Sequence, residues 1–147
     1  MAAAGKRIVL VDDEEALARS LTSRLARARP HRVMTAMDGE RALALMESEG
    51  VDLLIADIRM PGMSGIDLVI TARQSWPELP VVVMTAFTSA DIRRIRPGPF
   101  TGFLEKPFEF ERLLDLVDQA FTPKRGFSGA ISVQTLPDIV QLYVLSS

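Results

Sequence analysis

Five short apolar runs divide the first 121 residues of the chain, and polar side chains follow most of them. Residues 8–11, 53–56 and 81–84 are continuous runs of mainly aliphatic side chains. Such runs are typical of strands that are buried on both faces of a parallel sheet. The weaker run at residues 32–36 predicts an edge strand, and residues 102–105 predict a fifth strand.

Between these runs, hydrophobic residues recur three and four positions apart, which is the period of an amphipathic helix. Five helices are predicted. The first begins after the acids at 12–15 and stops at Pro30, the second begins at Gly39 and stops at Gly50, and the third begins after Ser64 and stops at Pro77. The fourth begins at residue 88 or 89 and stops at Pro97, and the fifth begins near Phe110 and stops at Thr122. The alternation predicts a flavodoxin-like α/β fold: a doubly wound five-stranded parallel sheet of order 2-1-3-4-5, with a short strand-helix extension at the C-terminal end.

The polar residues that follow the strands suggest a site. Asp12 and Asp13 follow strand 1, Asp57 follows strand 3, Thr85 follows strand 4 and Lys106 follows strand 5. In a sheet of this order their strand ends converge on one rim. Carboxylates crowded there favour a cation, and oxygen ligands alone favour Mg²⁺. With an ammonium and a hydroxyl as donors to anionic oxygens, this set predicts phosphoryl transfer to a carboxylate, giving an acyl phosphate.

Each of these side chains also has an ordinary structural role open to it. The acids at residues 12–15 lie where a helix N-terminus favours negative charge. Thr85 would then simply end a strand, and Lys106 would be a solvated charge. Glu14 and Glu15 are expected to be solvated or capping residues. The convergence of five suitable side chains on one rim favours the functional interpretation.

Composition narrows the function classes further. The chain has 147 residues, of which 48% are hydrophobic and 24% charged, as expected for one globular domain with a fragment of another. Its net charge of −2 argues against nucleic-acid binding by bulk charge. Cysteine is absent, and no apolar run is long enough for a signal peptide or a membrane span. We therefore expect a cytoplasmic protein with no membrane contact.

Residues 6–121 resemble the receiver domain of bacterial two-component response regulators, and no single motif carries this resemblance. The motifs that match, in order, are Val11-Asp12-Asp13, Asp57 with Met60-Pro61-Gly62-Met63-Ser64-Gly65, Thr85-Ala86, and Phe103 through Lys106-Pro107-Phe108. The resemblance implies a signalling domain that receives a phosphoryl group from a sensor histidine kinase or a phosphotransfer protein. It is then not an enzyme in the ordinary sense, because it catalyses only its own Mg²⁺-dependent phosphorylation and dephosphorylation.

The resemblance also implies roles for individual residues. Asp57 would be the phosphoacceptor. Mg²⁺ would be held by Asp13 directly, by Asp12 largely through water, by Asp57, and by the backbone carbonyl of Arg59. Lys106 would bind a phosphoryl oxygen.

A switch pair and two rate-tuning positions are implied in the same way. The hydroxyl of Thr85 would move to the phosphoryl group while the ring of Phe103 turns inward, although Phe103 is also apolar enough to be permanent core. Arg59 and Phe87 lie at positions that tune the lifetime of the phosphoryl group, and their bulk predicts slow self-dephosphorylation. Lys106 and Pro107 are expected to be joined by a cis peptide bond.

In similar receivers, the face formed by the fourth helix, the fifth strand and the fifth helix carries the output and often forms symmetric dimers. Here three arginines lie on the predicted fourth helix, at positions 93, 94 and 96, and four acids lie on the predicted fifth helix, at positions 109, 111, 115 and 118. These charges would pair across a two-fold axis, or they are two solvated faces. The arginines are too few to indicate direct DNA binding.

Beyond the receiver-like unit (6–121), residues 122–126 predict a linker and residues 127–147 a tail. The tail alternates apolar and small polar residues as a strand does, and then follows a helical spacing after Thr135. Residues 127–142 resemble the opening of the PATAN-like domain that is fused to some bacterial receivers, which suggests a protein-interaction output. The tail would dock on the receiver, form a homodimer contact, or begin a truncated second domain.

Three other functions fit parts of the pattern. A Mg²⁺-dependent phosphatase with an aspartyl nucleophile usually has a second acid two residues later, where this chain has Arg59. A flavodoxin-like cofactor binder would bring a flavin phosphate against the acids of the rim, and no phosphate-binding loop follows strand 1. A docking module that never uses its phosphorylation site remains open.

Overall fold

A single parallel sheet organises the protein. The computed structural model describes residues 5–86, 95, 100–122 and, for the backbone alone, 131–134. The strands are β1 (Arg7–Val11), β2 (Arg32–Ala36), β3 (Leu53–Asp57), β4 (Val81–Thr85), β5 (Thr101–Glu105) and β6 (Ile131–Gln134). All pairings are parallel, and the spatial order is β2-β1-β3-β4-β5-β6. The predicted flavodoxin-like order of the first five strands is thus confirmed.

Four helices connect the described strands: α1 (Glu15–Ala28), α2 (Gly39–Glu49), α3 (Gly65–Ser75) and α4 (Phe110–Phe121). The side chain of Asp38 caps α2 by accepting a hydrogen bond from the Arg41 backbone N–H at 2.8 Å. Ser64 caps α3 in the same way. The predicted helix that starts at residue 88 or 89 lies outside the described residues, so α4 corresponds to the fifth predicted helix.

The apolar runs are buried because helices cover both faces of the sheet. One core packs α2 and α3 against alternate residues of the strands, including Val9, Leu54 and Phe103. The other packs α1 and α4 against the intervening residues, such as Leu10 and Leu104. Among β1 to β5, the edge strand β2 is the most exposed, as its weaker apolar pattern predicted. Among the described residues, no helix is long and apolar enough to cross a bilayer.

The sixth strand comes from the tail. Residues 131–134 pair with β5, so that Thr101 aligns with Ile131 and Leu104 with Gln134. The β5-α4-β6 connection therefore repeats the strand-helix-strand pattern of the rest of the fold. The predicted boundaries at 6–121, 122–126 and 127–147 stay predictions, and the predicted tail helix after residue 135 lies outside the described residues.

Arg73 on α3 ties that helix to the beginnings of two strands. Its guanidinium donates to the backbone carbonyl of Leu79 at 3.0 and 3.1 Å, to that of Phe100 at 3.1 Å and to the hydroxyl of Thr101 at 3.0 Å. Burial lowers the pKa of this guanidinium to about 10, with Glu78 acting in the opposite direction. Arg73 stays charged at neutral pH and anchors the start of β5.

Replacing Arg73 by methionine keeps much of its apolar stem but removes the guanidinium donors of the Leu79 carbonyl and one donor of the Phe100 carbonyl, which still accepts the Val81 N–H. We expect Arg73→Met to lower the free energy of unfolding by about 2–4 kcal/mol, measured by urea denaturation. Arg19 is the matched control, because its side chain is 76% exposed and pairs only with Glu15 among the contacts observed. Arg19→Met should cost less than about 0.5 kcal/mol. Equal effects of the two substitutions would contradict this role for Arg73.

Candidate functional site

Two buried carboxylates lie side by side where β1 and β3 end. Val11 and Ala56 are register partners in the parallel pair, so the next residues, Asp12 and Asp57, follow at the same level. Asp12 is fully buried and Asp57 is 6% exposed, whereas Asp13 is exposed. Ligand oxygens of all three carboxylates lie within 4.8 Å of one another. The convergence predicted from strand order is present in the structure.

Lys106 enters the cluster from the end of β5. Its ammonium donates a hydrogen bond to Asp12 Oδ2 at 3.1 Å and lies 3.3 Å from Asp57 Oδ2. Its backbone N–H donates to the carbonyl of Thr85 at 2.7 Å, which holds the lysine beside the end of β4. The Lys106–Pro107 peptide bond is cis, as expected. The lysine is therefore a member of the cluster and not a solvated charge.

Burial and mutual charge set the ionisation of this cluster. Burial raises the pKa of Asp57, and the neighbouring charge of Asp12 adds to this, while Lys106 and the Arg59 backbone N–H act in the opposite direction. For Lys106, burial alone would lower the pKa. The hydrogen bond to Asp12 and the charges of Asp12 and Asp57 outweigh that effect, so the pKa of Lys106 is raised and the ammonium is retained.

The backbone beyond β3 gives Asp57 its surroundings. The Arg59 N–H lies 3.4 Å from Asp57 Oδ1, and the Gly65 N–H donates to the Ile58 carbonyl at 2.9 Å. A Cβ atom on Gly65 would collide with the backbone oxygen of Asp57. Gly62 adopts a φ of 74°, a conformation that glycine reaches without strain. The sequence had placed Gly65 in the matching motif without showing that α3 packs directly on the end of β3.

Glu14 lies closer to the site than its predicted role as a solvated or capping residue implied. Its backbone N–H donates to Asp12 Oδ1 at 2.9 Å, which helps to orient that carboxylate. Its own carboxylate oxygen lies 3.9 Å from the Lys106 ammonium, although the side chain is 70% exposed. It precedes α1 without capping it through its side chain. The only signal in the sequence was its place beside Asp12 and Asp13.

The predicted switch residues are buried, and one of the two predicted rate-tuning residues is exposed. Thr85 ends β4 and is 3% exposed, one residue beyond Met84, which aligns with Asp57. Phe103 is fully buried in the core that faces α2 and α3. Arg59 is exposed, and its backbone N–H lies beside Asp57. Phe87 lies outside the described residues.

The cluster fits a magnesium ion. Three carboxylates lie within reach of one cation, and the Lys106 ammonium offsets only one of their charges. Oxygen donors of this kind suit a hard divalent ion, and the exposed side of Asp13 leaves room for water ligands. A bound cation would also relieve the repulsion between the carboxylates of Asp12 and Asp57.

Comparison with known proteins agrees with this geometry. Residues 8–118 match the family described as the response regulator receiver domain. Because this match covers more than half of the chain, the protein belongs to the receiver domain family of response regulators. The solved structure of the chemotaxis protein CheY4 from Vibrio cholerae superposes with a TM-score of 0.72 at 30% identity, covering 80% of this chain and 99% of that one.

Further relatives are bacterial as well. The response regulator TrrA from Thermotoga maritima, solved in complex with Mg²⁺ and beryllium fluoride, gives a TM-score of 0.68 at 28% identity, covering 78% of this chain and 98% of that one. FleR from Pseudomonas aeruginosa is 37% identical over 113 residues, which are 76% of this chain and 24% of FleR. The transcriptional regulator NtrC from Salmonella typhimurium is 34% identical over 78% of this chain and 25% of its own length. The chain thus spans about a quarter of these two curated relatives.

Magnesium should stabilise the fold through this cluster. At a Mg²⁺ concentration ten times the dissociation constant, linkage gives about 1.4 kcal/mol, or a Tm increase of about 3–6 °C. Asp13→Asn removes one ligand charge and should abolish most of this increase, whereas Glu47→Gln on the exposed side of α2 should not. The measurement is thermal unfolding with Mg²⁺ or with a chelator. An unchanged increase in Asp13→Asn would contradict the assignment.

Proposed function

We propose that this protein accepts a phosphoryl group on Asp57 from a sensor histidine kinase or a phosphotransfer protein. The observation that carries the proposal is the Lys106 ammonium, 3.1 Å from Asp12 and 3.3 Å from Asp57, within a group of three carboxylates. That arrangement combines a buried nucleophilic carboxylate, a fixed positive charge and a set of ligands for a cation. Phosphoryl transfer requires mainly such positioning and charge neutralisation.

In the proposed reaction, a carboxylate oxygen of Asp57 attacks the phosphorus atom. The new oxygen–phosphorus bond forms as the bond between phosphorus and the donor's histidine nitrogen breaks, and the electron pair leaves with that nitrogen. Asp12 and Asp13, with Asp57 and the carbonyl of Arg59, would hold Mg²⁺, which supplies positive charge to the phosphoryl oxygens. Lys106 then exchanges its contact with the Asp57 carboxylate for a hydrogen bond to a phosphoryl oxygen.

The signal would leave the site through β4 and β5. Thr85 and Phe103 lie on these adjacent strands, and both are buried. In the proposed switch, the Thr85 hydroxyl turns to the phosphoryl group, and the Phe103 ring, which is already fully buried, shifts into the space that the hydroxyl leaves. The surface of the predicted helix at 88–96, β5 and α4 would then contact an output domain, a partner protein or a second copy of the chain. We also propose that this part of the protein makes no direct contact with nucleic acid. Its proposed location is the cytoplasm.

The proposal is tested by intact mass after incubation with Mg²⁺ and acetyl phosphate. We expect one phosphoryl adduct on the wild type, and none on Asp57→Asn or after Mg²⁺ is removed by a chelator. Asp115→Asn is the matched control, because Asp115 is an exposed residue of α4 and should leave the adduct unchanged. An adduct that forms equally on Asp57→Asn would place the phosphoryl group elsewhere and refute the assignment.

The lifetime of the adduct tests the rate-tuning positions. Arg59 follows the acceptor by two residues and is exposed, so its side chain has room to lie over the path of the attacking water. Arg59→Ala, and Phe87→Ala on sequence grounds alone, should speed the loss of the phosphoryl group several-fold. The control is Arg41→Ala, because the Arg41 side chain is 74% exposed on α2 and pairs with Asp38, which is not one of the three clustered carboxylates. Rapid loss from the wild type that neither substitution changes would contradict this role.

A further inference from the structure

The edge of β5 is occupied by the chain's own tail. Residues 131–134 pair with β5 in parallel register, with Gly102 opposite Ser132 and Phe103 opposite Val133. Residues 101–104 are buried, so β5 is a core strand although it is the last of the five strands predicted for the sheet. A core strand with an open edge presents unpaired N–H and C=O groups that readily accept another strand. In this protein, β6 fills that position.

The same strand leads directly into the phosphorylation site. Lys106 follows β5 immediately, and its ammonium contacts Asp12 and Asp57 at 3.1 and 3.3 Å. On its other side, β5 pairs with β4, with Glu105 opposite Thr85. β5 therefore contacts the tail strand at its edge and leads at its end to the lysine of the carboxylate cluster.

We propose that the β5 edge is a docking surface for residues 131–134 of the same chain, and that its occupancy and phosphorylation of Asp57 stabilise each other. This inference rests on the proposed function. In exchange for its contact with the Asp57 carboxylate, a phosphoryl group would give Lys106 a more highly charged acceptor with three oxygens and so fix the end of β5 more firmly. A strand that docks on a more ordered template loses less entropy, which makes the coupling positive.

Docking of β6 is expected to be weak enough to respond to this coupling. The described strand has only four residues, and such a short strand has little stability of its own. Each residue of β6 that becomes ordered loses conformational entropy, so hydrogen bonds to the backbone of β5 must offset that loss. A modest change in the order of β5 therefore shifts the docked population.

The test compares two double variants of the full chain. Consecutive residues of a strand direct their N–H groups to opposite sides, so Ser132→Pro with Val133→Pro removes one donor facing β5 whichever residue supplies it. Ser132→Thr with Val133→Ile keeps both N–H groups and favours a strand, which makes it the matched control. Hydrogen exchange of the peptide covering residues 101–105 reports whether β5 loses its neighbour. We expect faster exchange in the proline variant alone.

The coupling is measured with Mg²⁺ and beryllium fluoride, a reversible mimic of the phosphoryl group. Its binding to the wild type should slow hydrogen exchange in residues 131–134, and this measurement needs no substitution. By reciprocity, the affinity of the proline variant for beryllium fluoride should be at least about fivefold lower than that of the wild type. The control variant should match the wild type. Equal affinity of the proline variant, or unchanged exchange in the wild type, would overturn the coupling.

Failure of the coupling and failure of the proposed function give different results. A wild type that gains no Asp57 adduct from acetyl phosphate refutes the proposed function, and the coupling with it. An adduct on Asp57 together with equal affinity in the proline variant refutes the coupling alone. Exchange in residues 131–134 that slows as protein concentration rises would show that the strand comes from a second copy, and would overturn docking within one chain.

Discussion

The contact of one ammonium with two buried carboxylates holds the site together. Asp12 and Asp57 are side by side because β1 and β3 are parallel neighbours in register, and burial makes their negative charges costly. Lys106 offsets part of that cost from the end of β5. The order of the sheet and the backbone contact to Thr85 both serve to place this lysine. Removing the Lys106 ammonium would leave two buried carboxylates without their positively charged partner.

Much of this arrangement follows from the sequence because a parallel sheet makes short-range patterns informative. A strand buried on both faces is a continuous apolar run, so three of the first five strands are evident in this way, and their bounds lie within one residue of the prediction. The grouping of the site residues at one edge of the sheet then follows from topology, since strand order alone determines which C-terminal strand ends are neighbours. The helix caps at Asp38 and Ser64 were also predictable, because their hydrogen bonds are local.

Other features depend on contacts between distant residues and could not be predicted in this way. The sequence does not show that Lys106 approaches Asp12 as closely as Asp57, or that Arg73 reaches the carbonyl of Phe100. It also does not show that Gly65 must lack a side chain to let α3 pack on Asp57. The alternation in the tail predicted a strand, but several sites for it were open. Pairing with β5 is a long-range choice that only the folded structure specifies.

Asp57, and no other carboxylate of the cluster, is the proposed acceptor of the phosphoryl group. Borohydride reduces an aspartyl phosphate to homoserine, which stays in the chain and is located by peptide mass mapping. After reaction with Mg²⁺ and acetyl phosphate followed by borohydride, we expect homoserine at position 57 and intact aspartates at positions 12 and 13. Homoserine at position 12 or 13 with none at position 57 would show that another carboxylate accepts the phosphoryl group.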